Sequence, residues 1–172
     1  MNQPNKSVSV VFQSMPETLA AFTALPQAAM QTPFDTAAML VAALCAYPHS
    51  KDESIAMVNY LKGPAPLSNR EITFVADRMA QNSKAGFLGA SYMDGATPQN
   101  DYAPAAPCTV AVSENPYSYD TPGCAKLFLK SGGGDSPRPV TMRQAKDGKW
   151  YLWEFSTVLT DIRAPESTNP WA

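Results

Sequence analysis

VTMRQAKDGKWYLWEF, residues 140–155, is the stretch on which the fold turns. Asp147-Gly148 lies between two runs rich in β-branched and aromatic residues, and an Asp-Gly pair tolerates the positive φ that a tight hairpin turn requires. The reading is a β-hairpin closed by a two-residue type I′ turn. With Lys146 opposite Lys149, the pairs Gln144 with Tyr151, Met142 with Trp153 and Val140 with Phe155 share one face. Ala145 with Trp150, Arg143 with Leu152 and Thr141 with Glu154 share the other. The first face is expected to be core, with Trp153 inside, and the second to face outward.

Upstream of the hairpin, Thr109 to Ser113 and Ala125 to Lys130 are further β-rich runs, and Phe87 to Met93 is a weaker one. Gly, Pro, Asn and Asp cluster between them, with a long loop expected over Gly95 to Pro107. Before residue 86 the apolar spacing becomes helical. Pro16 opens a short helix carrying Leu19, Phe22 and Leu25, and Pro26 ends it. Asp35 or Thr36 is positioned to cap AAMLVAALCAY, residues 37–47, which is apolar all round and so expected to be buried on most sides. Ser50-Lys51-Asp52-Glu53 and Ser68-Asn69-Arg70-Glu71 both fit capping boxes and open two more helices of about a dozen residues. The expected fold class is α+β: about four N-terminal helices packed on one face of a C-terminal antiparallel sheet of four to five strands. Residues 1–172 are read as one domain, with 1–15 a flexible arm, 16–85 the helical half, 86–163 the sheet half and 164–172 a tail.

The 172 residues are 45% apolar and 16% charged, with a formal charge of −2, so no global field draws the chain to nucleic acid or to an anionic membrane. Neither an export signal nor a membrane-spanning stretch is expected. Cys45, Cys108 and Cys124 are an odd set without CxxC spacing, which fits free thiols in a reducing cytoplasm better than a disulfide framework or a zinc site. Cys108 and Cys124 are the pair that neighbouring strands could bring together.

A set of long motifs runs from about Pro16 to Ala172. It includes Pro33-Phe34-Asp35-Thr36-Ala37, Lys51-Asp52-Glu53-Ser54-Ile55-Ala56-Met57, Asn115-Pro116-Tyr117-Ser118-Tyr119, Asp135-Ser136-Pro137-Arg138-Pro139-Val140 and Pro170-Trp171-Ala172. By these the chain resembles a bacterial family of small proteins classed as a domain of unknown function. The resemblance carries no activity and no site residue. More loosely, helices preceding a curved sheet with a late Asp-Gly-Lys-Trp hairpin look like the cone-shaped NTF2-like fold.

No catalytic set converges. His49 is the sole histidine and sits in an expected exposed loop; Cys45 belongs to the apolar helix. Ser131 to Asp135 lacks the pattern of a phosphate loop and reads as a strand connection. Asp94, Asp101, Glu114 and Asp120 match no EF-hand spacing, and no metal or cofactor is expected. Tyr117 and Tyr119 read as turn residues at the rim of the core.

The less ordinary feature is charge segregation. Residues 126–149 hold Lys126, Lys130, Arg138, Arg143, Lys146 and Lys149 against Asp135 and Asp147. If Leu127 and Leu129 face the core, then Lys126, Phe128, Lys130, Arg143, Trp150 and Leu152 gather on one outward face. That face is the candidate binding surface, suited to an acidic peptide or an anionic small molecule and, with Phe128, Trp150 and Leu152, to homo-oligomer contact. The functional expectation is a non-catalytic cytoplasmic module acting through protein association, chiefly with itself. The alternative is a small-ligand or enzymatic pocket between helices and sheet.

Overall fold

A computed structural model describes residues 5–171. Four helices, α1 (Leu19–Thr23), α2 (Pro33–Cys45), α3 (Lys51–Lys62) and α4 (Asn69–Ala80), pack on one face of a five-stranded antiparallel sheet. The strands are β1 (Ser7–Phe12), β2 (Cys108–Ser113), β3 (Cys124–Leu129), β4 (Arg138–Gln144) and β5 (Trp150–Glu154), in the order β1-β2-β3-β4-β5. The α+β expectation holds.

Helix α2 is the centre of the molecule. It crosses the inner face of the sheet, meeting all five strands, while α3 covers its other side, which is why Thr36 to Leu44 are all buried. A helix enclosed on both sides gains from apolar residues around its whole circumference. It begins earlier than expected: Thr32 is the N-cap, accepting from the Asp35 N–H, and Pro33 takes the first turn. Thr36, freed from capping, is buried and donates its hydroxyl to the Trp150 carbonyl.

Of the two expected capping boxes, only Ser68–Glu71 closes in both directions. Ser50 accepts from the Glu53 N–H, but the Glu53 carboxylate reaches across to the Leu19 N–H at 2.7 Å and caps α1 instead. One acidic side chain thus ties the start of α1 to the start of α3, a use that local spacing does not reveal.

Three expectations require correction. Residues 7–12 are a strand on the edge of the sheet, not part of a flexible arm; Val8, Val10 and Phe12 turn inward, and burial of these apolar side chains holds the segment down. Residues 1–4 of the expected arm lie outside the described residues. Phe87 to Met93 is irregular and includes a 3-10 turn at Ala90–Tyr92, because Phe87, Leu88, Tyr92 and Met93 are all buried and a strand would turn half of them away.

The third correction concerns the hairpin. The Ala145 N–H donates to the Lys149 carbonyl and the Gly148 N–H to the Ala145 carbonyl, so the loop has three residues, Lys146, Asp147 and Gly148, with Gly148 at φ +84°. This is a turn followed by a left-handed bulge residue, the other common use of Asp-Gly. The pairing becomes Gln144 with Trp150, Arg143 with Tyr151 and Met142 with Leu152. One residue of slip exchanges the faces of β5. Leu152 is fully buried and Trp153 is 46% exposed, the reverse of the expected arrangement. Beyond Leu152, Trp153 bulges out before Glu154 pairs with Thr141, which returns Phe155 to the core.

Candidate functional site

The expected binding face divides in two. Lys126, Phe128 and Arg143 do lie on the outer face: Lys126 is opposite Thr141, Phe128 opposite Pro139 and Arg143 opposite Cys124, while Leu127 and Leu129 are core. Lys130 is exposed just past the end of β3. Trp150 and Leu152 do not join them. The slip in register turns Leu152 into the core and leaves Trp150 half-buried against it. Their places beside Arg143 are taken by Tyr151 and Trp153, and the Arg143 guanidinium stands 4.8 Å from the centre of the Trp153 ring.

This exchange builds a cleft where the hairpin meets the end of α3. Lys62, Arg143, Lys146, Tyr151 and Trp153 line it, together with Pro64 and Ala65, around a volume of about 470 Å³. Gly63 ends α3 at φ +58°, and a side chain there would collide with the Tyr151 ring. The helix end therefore lies directly against the hairpin. Tyr151 is held from its other end by its hydroxyl, which donates to Asp147 Oδ2 at 2.7 Å, while the Lys149 N–H donates to Asp147 Oδ1. These two bonds hold the Asp147 carboxyl below its ordinary range, and the bond to Asp147 raises Tyr151. Lys62 is 5% exposed; its Nζ donates to the Trp153 carbonyl at 3.4 Å and lies 3.7 Å from Glu71. Of the lining residues, Lys62 was not singled out in the sequence; Lys146 was counted in the basic run, and Tyr151 and Trp153 were expected on the core side, lining a pocket between helices and sheet. Trp153 and Tyr151 needed the true register, and nothing local shows that α3 ends beside residue 146.

The sheet edges differ. The Glu114 N–H donates to the Lys6 carbonyl, so alternation along an antiparallel pair directs the backbone groups of Val8, Val10 and Phe12 toward β2 and those of Ser7, Ser9 and Val11 away from it. Gln27 Nε2 donates to the Val11 carbonyl at 3.2 Å; the remaining outward groups meet no partner among the described residues. Ser7–Phe12 carries no charged side chain.

Other candidates resolve into structure. His49 is exposed, 3.7 Å from Glu17. Burial, and then the neighbouring Cys108, push the Cys45 thiol up to about 12, which suits an inert side chain. The three cysteines are free; Cys108 and Cys124 stand on opposite faces of the sheet and are not paired. In the β3–β4 connection the N–H groups of Gly132, Gly133 and Gly134 donate to Ser91 and Ser131, leaving no amide nest for a phosphate. No cluster of three or more metal-ligating side chains occurs among the described residues. The Glu114 carboxylate accepts from the Lys6 N–H and the Tyr119 hydroxyl, and Tyr117 and Tyr119 are both exposed. No helix among the described residues is long and apolar enough to cross a membrane.

No curated protein and no solved structure matches the chain. A family profile does, over residues 14–166, from α1 through the hairpin to the segment beyond β5 that closes the core. The chain belongs to that family, described as a domain of unknown function, DUF6935.

Proposed function

We propose that the protein is a non-catalytic association module that pairs with a second copy of itself along β1. The observation that carries this reading is the open, uncharged edge at Ser7, Ser9 and Val11. An antiparallel edge is self-complementary about a twofold axis, because each copy presents the same alternating donors and acceptors. Centring the axis on Ser9 puts Ser9 opposite itself and Ser7 opposite Val11 of the second copy, with no like charges facing. Among the described residues the Gln27 contact is the one bond the pairing displaces, and each backbone bond gained contributes roughly 0.5–1.5 kcal/mol net. A cytoplasmic setting belongs to the same proposal, supported by the three unpaired thiols.

Sedimentation equilibrium at high micromolar concentration tests it. The expected mass is twice 18.5 kDa for the natural chain and 18.5 kDa for Ser9→Pro. Proline at position 9 removes only an outward N–H and places its ring on the free edge. A monomeric natural chain, or a Ser9→Pro variant as dimeric as its parent, would overturn the proposal.

A further inference from the structure

The cleft between α3 and the hairpin holds an excess of cations around an apolar wall. Its lining includes Lys62, Arg143 and Lys146 and no carboxylate. Three carboxylates lie nearby and each has a partner: Glu71 is 3.7 Å from Lys62, Asp147 accepts from the Tyr151 hydroxyl and the Lys149 N–H, and Glu154, close enough to Lys62 to feel its charge, accepts from the Ser156 N–H. Arg143 and Lys146 have no carboxylate partner among the described residues. Arg143 lies over the Trp153 ring, so its N–H edge remains available to donate to a planar or tetrahedral oxyanion.

We propose that this cleft binds a small organic anion, one carboxylate or phosphate head on a flat apolar body. The head meets Arg143 and Lys146, with Lys62 reinforcing the field from the closed end. The body lies against Tyr151, Trp153 and Pro64. Three features point to this class. The volume of about 470 Å³ is within the range of small-molecule sites. Gly63 and Asp147 hold Tyr151 from both ends, so the aromatic wall is formed before a ligand arrives. Lys62 has only a 3.4 Å bond and a 3.7 Å ion pair to satisfy three ammonium protons, leaving donor capacity beside the cleft. The site is separate from the β1 edge, and its test does not depend on the oligomeric state.

The probe is phenyl phosphate, titrated into the full chain while the Trp153 indole N–H is followed by NMR. Saturable binding is expected, with inorganic phosphate and benzyl alcohol each at least about tenfold weaker, because each supplies half of the contacts. Arg143→Gln should weaken phenyl phosphate about tenfold and Lys146→Gln by less, since Lys146 acts as a point charge on a flexible stem. Both positions are surface-facing on the hairpin, and an unchanged thermal melt confirms that each variant is folded. Three results would overturn the proposal: phenyl phosphate binding no better than inorganic phosphate, affinity unchanged in Arg143→Gln, or shifts that bypass Trp153. A short oligoglutamate peptide binding more tightly than phenyl phosphate would also overturn it, by assigning the cleft to an acidic peptide.

Discussion

Strand β5 ends the sheet under cover, whereas β1 ends it in the open. The Trp150 N–H donates to the Met30 carbonyl, the Trp150 carbonyl accepts from the buried Thr36 hydroxyl, and the Trp153 carbonyl accepts from Lys62. Met30, just before α2, and the helical residues Thr36 and Lys62 have taken three of the hydrogen bonds that a sixth strand would have made. On β1 the one such contact among the described residues comes from the half-buried Gln27. An unprotected strand edge is a template for another chain, and proteins usually blunt it with charge, proline or a cover. Ser-Val-Ser-Val-Val-Phe has none of the first two. Closing one edge is thus a matter of α2 and α3 packing, while leaving the other open is a property of the β1 sequence itself.

The widest separation between the edges comes from proline on β1. Val10→Pro deletes an N–H directed at β2 and strains a buried residue, which should cost about 3 kcal/mol or more in denaturant unfolding. Ser9→Pro, one residue away, should cost far less. A larger loss at Ser9→Pro than at Val10→Pro would mean that the alternation of β1 has been assigned the wrong way round.

Next in size is the inner anchor of the covered edge. Leu152→Ala should destabilise by roughly 2–5 kcal/mol, against less than about 1 kcal/mol for Trp153→Ala, whose ring is exposed beside Arg143. A larger loss at Trp153 would restore the two-residue turn and its register. Thr36→Val keeps the shape of the side chain but orphans the Trp150 carbonyl, with an expected cost of about 1–3 kcal/mol. Gly148→Val, at φ +84° with open space around it, should cost roughly 1 kcal/mol through backbone strain alone.

The class of the fold was legible because it rests on local signals. Ser50, Ser68 and the all-apolar run of α2 place three helices, and alternation places β2, β3 and β4. What was hidden depends on the meeting of distant segments or on a choice between near-equal local geometries. Asp-Gly serves a two-residue turn and a three-residue bulged loop alike, and the aromatic run Trp150-Tyr151-Leu152-Trp153 has apolar side chains on both faces, so hydrophobicity could not arbitrate. The candidate face inherited that ambiguity: Lys126, Phe128 and Arg143, fixed by β3 and β4, fell where expected, and Trp150 and Leu152, fixed by the turn, did not. Ser7–Phe12 escaped notice because its partner, β2, lies about a hundred residues away in the chain.

Residue-resolved amide hydrogen exchange along β1, followed at low and high protein concentration, tests self-pairing most directly. The Val8, Val10 and Phe12 amides should be protected at both concentrations by β2, while those of Ser7, Ser9 and Val11 should exchange freely when dilute and become protected as concentration rises. Ser9 and Val11 amides that exchange freely at every concentration would contradict it.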